Sequence, residues 1–255
     1  MRVTLPNDLI KTPITHRALH DRAAGVIENS TSAIEAAINA GYGIEIDLQC
    51  SKDGVAMVFH DDQMNRLTEE RGLVRDFTCA ELRAINLKDS SDTIAPLRDI
   101  LEMVDGRVPL LLEIKDQSLT LGDLDGVLET AVAEDLANYT GSVVVMSFNP
   151  NSVALMQTQA PNVPRGLTTC DFALASWPQC HPDRLEHLKK LSDYQSVNAS
   201  FVSHDCTDLS SPYVQTIKNL GDPILTWTIK SEDQEQQARG IADNITFEGY
   251  LAQTV

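Results

Sequence analysis

Short β-type runs alternate with helical stretches along the chain, and no other feature restricts its fold so strongly. The runs are TPITH at 12, GIEIDLQ at 43, PLLLEIK at 109, SVVVMSF at 142, RGLTT at 165, SVNASFV at 196, PILTWTI at 223 and DNITF at 243. Strands alternating with helices predict an α/β fold with a parallel sheet, and eight of them match a (β/α)8, or TIM, barrel. A doubly wound open sheet would alternate too. The chain has no GxGxxG or P-loop glycine pattern of the kind that marks open-sheet nucleotide folds. Its 255 residues are enough for one large domain, expected over 1–255.

Helical periodicity is clearest at Leu97, Ile100, Leu101 and Val104, and at Val214, Ile217 and Leu220. Ile34, Ala37, Ile38 and Gly41 fit another helix face, with a capping-box pattern at Ser32 and Glu35 predicting its start. One connection is too long for a single helix. Between the strands at 43 and 109 lie a further β-type run, VAMVFH at 55, and a polar stretch from Asp62 to Glu81. This predicts a small insertion after the second strand, over about 50–95. Loops after barrel strands carry the active site, so the insertion is expected to lie over that end.

Charge narrows the function. Against 20 Lys and Arg stand 37 Asp and Glu, a formal net charge of -17. Nucleic acid and anionic membrane would both repel such a surface at long range, so neither is an expected partner. A small anionic substrate remains compatible, because a local group of Arg, Lys and metal can reverse the field in one pocket. No apolar run reaches the length of a membrane helix, and the first residues carry no signal-peptide pattern, so the expected location is cytoplasmic. The five cysteines, Cys50, Cys79, Cys170, Cys180 and Cys206, are scattered and form no CxxC pair, which argues against a disulfide framework or thiolate zinc site. Self-association into a homo-oligomer is left open.

Ionisable residues gather where the strand candidates end. His16 and Arg17 close the first, Glu45 and Asp47 lie in the second, His60 and Asp61 follow VAMVF, and Glu113 and Lys115 end PLLLEIK. Residues two apart in a strand share a face, so Glu45 projects with Asp47 and Glu113 with Lys115. Carboxylates inside a barrel are costly unless paired or metal-bound. Glu45, Asp47 and Glu113 are therefore expected to hold a divalent cation, with Mg²⁺, Ca²⁺ or Mn²⁺ fitting an all-oxygen donor set better than zinc. Taken singly, each has a plainer reading. A lone Glu-x-Asp is commonly a solvated strand face, a lone His structural, and Arg17 and Lys115 partners of nearby acids.

In this arrangement the chain resembles the glycerophosphodiester phosphodiesterases over nearly its whole length. Their His-Arg-Gly and Glu-Asn-Thr motifs stand here as His16, Arg17, Ala18 and Glu28, Asn29, Ser30. Their Gly-x-Glu-x-Asp strand, Lys-Asp-Gly turn and His-Asp pair stand as Gly43, Glu45, Asp47, then Lys52, Asp53, Gly54, then His60 and Asp61, with Arg66 following. Glu113 with Lys115, Ser147 with Phe148, and Trp227 with Thr228 match three further strand ends. Two departures matter. Ala18 replaces the motif glycine, and TFEGY at 246 replaces the more usual Thr-Asp-x-Pro in the last loop.

The resemblance implies hydrolysis of a small glycerophosphodiester to an alcohol and glycerol 3-phosphate. It implies His16 and His60 as the acid–base pair, Arg17 and Lys115 on the phosphate, and one divalent cation on Glu45, Asp47 and Glu113. Trp227 either packs against the glycerol or fills the barrel. Glu28 and Asn29 either support the site or cap a turn, and Asp61 either orients His60 or makes a turn. Two alternatives stay open: a related phosphodiesterase acting on lysophospholipids or another phosphodiester, and a binding protein that retains the pocket without turnover.

Overall fold

The computed structural model describes residues 2–253. Eight parallel strands close on themselves: β1 (Ile14–Thr15), β2 (Gly43–Cys50), β4 (Leu110–Ile114), β5 (Val143–Ser147), β6 (Arg165–Thr169), β7 (Phe201–Asp205), β8 (Ile224–Ile229) and β9 (Asn244–Phe247). Each pairs with the next, and β1 pairs with both β2 and β9, which completes the barrel. The expected TIM barrel is therefore the fold. β3 (Ala56–Val58) stands outside the ring, antiparallel to β2, with Leu48 opposite Val58.

The helices are α1 (Asn7–Lys11), α2 (Thr31–Ala40), α3 (Cys79–Leu82), α4 (Leu97–Val104), α5 (Val127–Leu136), α6 (Pro150–Gln159), α7 (Pro182–Lys189), α8 (Pro212–Asn219) and α9 (Glu232–Ala238). α4 is the plainest case of sequence dictating structure, since Leu97, Ile100, Leu101 and Val104 form one stripe and all four are buried. Short α1 precedes β1 and closes the end where the strands begin. Its Leu9 joins Leu5, Ile14, Leu111, Val144, Met146, Phe201 and Leu225 in a cluster of apolar side chains. Phe201 lies so close to Gly166 that a Cβ there would meet its ring at 2.5 Å. This apolar cluster leaves the ionisable side chains gathered towards the other end of the barrel.

Expectations for three elements change. α2 is capped by Ser30, whose hydroxyl accepts from the Ala33 amide at 3.2 Å; Ser32 and Glu35 form no capping box. Asp92, arriving from the insertion, accepts from the Ser32 amide at 3.3 Å and from the Thr31 hydroxyl at 2.9 Å, so a tertiary contact does the work expected of Glu35. Gly41 does not share the helix face either. With φ of 74° it is the left-handed residue that ends the helix. Leu220 follows α8 and is exposed.

β7 is the third change. It runs from Phe201 to Asp205, not over SVNASFV at 196. Val197 and Ala199 are apolar because they end the preceding turn inside a buried cluster that also holds Val202. The strand continues instead through polar Ser203, His204 and Asp205 towards the loop end of the barrel.

The insertion between β2 and α4 holds its own small core, including Met57, Phe59, Met64, Leu67, Val74, Leu82 and Ile94. β3 folds it back on β2, and the Phe59 amide donates to the Asp47 carbonyl at 3.0 Å. His60 and Asp61 follow directly, so the insertion brings a histidine to the rim above β2.

Candidate active site

One cleft at the loop end of the barrel is lined by His16, Arg17, Glu45, Asp47, His60, Glu113, Lys115, Met146, Phe148, Trp227 and Thr246. Every residue singled out in the sequence for catalysis, metal or phosphate binding lies in this lining.

The carboxylates come together because β2 and β4 are neighbours in register, with Asp47 opposite Glu113. Glu45, Asp47 and Glu113 each present an oxygen within 4.8 Å of the other two, at only 2%, 2% and 6% exposure. Burial, then the charges of Asp47 and Glu113, push the Glu45 carboxyl well above its usual range. Burial would raise Asp47 as well, but the positive charges of Lys115, His60 and Arg17 outweigh it and hold Asp47 below the usual range. Lys115 Nζ donates to Glu113 Oε1 at 2.5 Å and lies 2.8 Å from Asp47 Oδ1. Two of the three buried carboxylates thus lean on one lysine, while Glu45 is left opposed by its neighbours. Crowded, buried and all-oxygen, this donor set fits a hard divalent cation.

A tight turn brings Arg17 in. Arg17 and Ala18 both adopt left-handed backbone, at φ of 53° and 65°. That conformation lets the Arg17 amide donate to Glu45 Oε2 at 2.8 Å and the Ala18 amide to the Glu45 carbonyl at 3.0 Å. The alanine at the motif glycine therefore keeps the turn, in a region where a side chain is strained. Asn29, also left-handed at φ of 59°, donates through Nδ2 to Asp47 Oδ2 at 2.9 Å. Asn29 thus makes a turn, its amide donating to the Arg17 carbonyl at 2.8 Å, and holds Asp47 as well.

Glu28 supports the site as well. It accepts from Arg17 Nη1 at 2.8 Å and from Arg66 Nη1 at 2.9 Å, and Arg66 also donates to Asp61. Asp61 lies 2.6 Å from His60 Nδ1. Burial opposes ionisation of Asp61, but the hydrogen bonds from His60 and Arg66 carry its carboxyl well below the usual range. Held as a carboxylate it can only accept, which puts the shared proton on His60 Nδ1 and leaves Nε2 free for chemistry.

His16 has a matching partner that the sequence did not reveal. Glu248 Oε2 lies 2.6 Å from His16 Nδ1, and Lys230 Nζ lies 2.8 Å from Glu248 Oε1. The only warning was that Glu248 falls within TFEGY, where the chain leaves the familiar motif.

The cleft's far wall was also missed in part. Trp227 faces the cleft and donates through Nε1 to the Ser203 carbonyl at 3.1 Å. Its ring packs edge-on against Phe148 at 5.6 Å, and Phe148 meets Phe172 at 6.2 Å and Trp177 at 5.2 Å. Met146 completes that side of the lining. Phe172 and Trp177 come from the irregular segment after β6, where no periodicity marked them.

The chain is similar to known proteins. The family model for glycerophosphoryl diester phosphodiesterases matches residues 16–245. The glycerophosphodiester phosphodiesterase of Caldanaerobacter subterraneus subsp. tengcongensis is 26% identical over 241 residues, covering 91% of each chain. Glycerophosphodiester phosphodiesterase 1 of Rattus norvegicus is 32% identical over 265 residues, covering 92% of this chain and 76% of the relative. Among solved structures, a phosphodiesterase of Oleispira antarctica in complex with the product sn-glycerol-3-phosphate superposes with a TM-score of 0.72 at 23% identity, covering 92% of this chain and 91% of that one.

Proposed function

From the premise that the chain belongs to the glycerophosphoryl diester phosphodiesterase family, we propose that it hydrolyses glycerophosphodiesters by metal-assisted acid–base catalysis with His16 and His60. The observation that carries this reading is the shared cleft, in which two carboxylate-backed imidazoles stand around three buried carboxylates and two cationic side chains. The Oleispira relative, solved with sn-glycerol-3-phosphate, supports the same product class here.

The substrate is an anion, so a nucleophile must approach it through negative charge. Arg17 and Lys115 bind phosphoryl oxygens and counter the charge that grows in the transition state. A divalent cation on Glu45, Asp47 and Glu113, Mg²⁺, Ca²⁺ or Mn²⁺, would supply further positive charge at a phosphoryl oxygen. One histidine takes the proton from the attacking hydroxyl through Nε2, and the other gives a proton to the leaving alcohol. In a glycerol-containing substrate the attacking hydroxyl is the neighbouring one of glycerol, giving a cyclic phosphate that water then opens. Trp227 and Phe148 form the apolar side against which the substrate's carbon skeleton packs.

Among the described residues no helix is long and apolar enough to cross a membrane, and all five cysteines are unpaired. The unpaired cysteines support a reducing compartment, the cytoplasm. The test is direct. Purified protein given glycerophosphodiesters with different alcohol groups should release glycerol phosphate, lose that activity with a chelator, and regain it with added cation. A binding protein would release none under any of these conditions.

A further inference from the structure

Both cleft histidines rest on a carboxylate, but the two arrangements differ in origin. Asp61 belongs to the same motif as His60 and is next to it in sequence. Glu248 stands 232 residues from His16, beyond the stretch that the family model matches, in the loop that departs from the usual motif. The barrel brings the two together. β1 and β9 are the strands that close the ring, and the His16 amide donates to the Phe247 carbonyl at 2.8 Å, so the residue after Phe247 arrives beside the imidazole.

The chemistry of Glu248 follows from its partners. The His16 hydrogen bond first, and then the neighbouring His20, whose Nε2 lies 3.6 Å away, and Lys230, hold its carboxyl far below the usual range despite partial burial. It is an acceptor only, so the proton between it and His16 sits on Nδ1. Burial, opposed chiefly by the Glu248 hydrogen bond, pushes the His16 imidazole down, towards its neutral form. A neutral imidazole with its one proton on Nδ1 has its lone pair on Nε2. Lys230 Nζ, on a largely exposed side chain, lies 2.8 Å from the other carboxylate oxygen.

We infer that Glu248 is the positioning residue for His16, fixing ring orientation and tautomer so that Nε2 is the nitrogen that transfers the proton. The inference rests on the two-histidine reading above, and Glu248 touches no substrate atom in it. The role is that of a carboxylate behind a catalytic imidazole, recruited here from the divergent last loop.

The test is a mutant cycle on the cation-loaded enzyme with a glycerophosphodiester substrate, comparing wild type, Glu248→Ala, Glu248→Gln, His16→Ala and the double variant His16→Ala with Glu248→Ala. Glu248→Ala should lower kcat by roughly 10–100-fold with KM little changed. Glu248→Gln should retain part of the loss-free rate, because its amide oxygen still accepts from Nδ1–H. In the His16→Ala background, Glu248→Ala should cost nothing further, since no ring remains to be held. A purely structural glutamate would impose the same penalty in both backgrounds. Wild-type kcat in Glu248→Ala and Glu248→Gln, or an undiminished penalty in the His16→Ala background, overturns the inference. If His16→Ala itself keeps wild-type kcat, the two-histidine reading fails, and that outcome is distinguishable because it appears without any change at Glu248.

Discussion

On the side of the cleft built from β1, β2, β4 and the insertion, the charged groups are tied to one another: Arg17 to Glu28, Lys115 to Asp47 and Glu113, and His60 to Asp61. Elsewhere in the lining, Phe148 and Trp227 offer apolar surface backed by Phe172 and Trp177. The first side is costly to assemble, since buried carboxylates repel until a cation or a base answers them. The second is ordinary aromatic packing. Rate should therefore depend on the first side, and substrate affinity and selectivity on the second.

The largest expected effect lies among the buried carboxylates. Glu113→Gln keeps the shape but removes one charge from the donor set proposed for the cation. Turnover should fall by more than the roughly 10–100-fold typical of a residue that merely supports a metal ligand, and cation affinity by calorimetry should drop with it. An unchanged affinity in a folded Glu113→Gln protein would move the ligand elsewhere.

The histidines come next. His16→Ala and His60→Ala should each lower kcat by about 10²-fold or more. A nitrophenyl ester, whose leaving group needs no proton, should rescue whichever variant lacks the acid and leave the other impaired. Equal response of the two variants to that substrate would contradict the division of labour.

On the apolar side, Trp227→Ala should raise KM roughly 10-fold, about 1.4 kcal/mol of lost binding, while kcat stays within a few-fold and cation affinity is untouched. A collapse of kcat instead would mean that the tryptophan orders the charged side too.

The smallest effect concerns the turn at Ala18. Glycine there would relieve a left-handed side chain worth about 1–2 kcal/mol but would also loosen the unfolded chain. Glycine also gives up a buried methyl, about 0.8 kcal/mol, so Ala18→Gly should change stability by about 1 kcal/mol or less, read as a nearly unmoved denaturation midpoint with unchanged kcat.

The same contrast governs what could be read from sequence. Glu45, Asp47, Glu113 and Lys115 were legible because charge at a strand end, within runs as apolar as PLLLEIK, has few structural explanations. Trp227 was visible but ambiguous, since an aromatic in a barrel strand reads equally as core. Phe172 and Trp177 sit in irregular backbone, and their meeting with Phe148 depends on tertiary structure alone. Glu248 and the frame of β7 were hidden for a related reason: what decides them is distant in sequence, His16 in one case and the buried cluster that takes Val197 and Ala199 in the other.

The central claim, that the charged side works as a cation-dependent catalytic centre, is tested most directly by turnover of a glycerophosphodiester across a chelation and add-back series. Release of glycerol phosphate should vanish when divalent cations are stripped and return with Mg²⁺, Mn²⁺ or Ca²⁺, in wild type but not in Glu113→Gln at the same cation concentration. Full activity in metal-stripped protein would contradict the account.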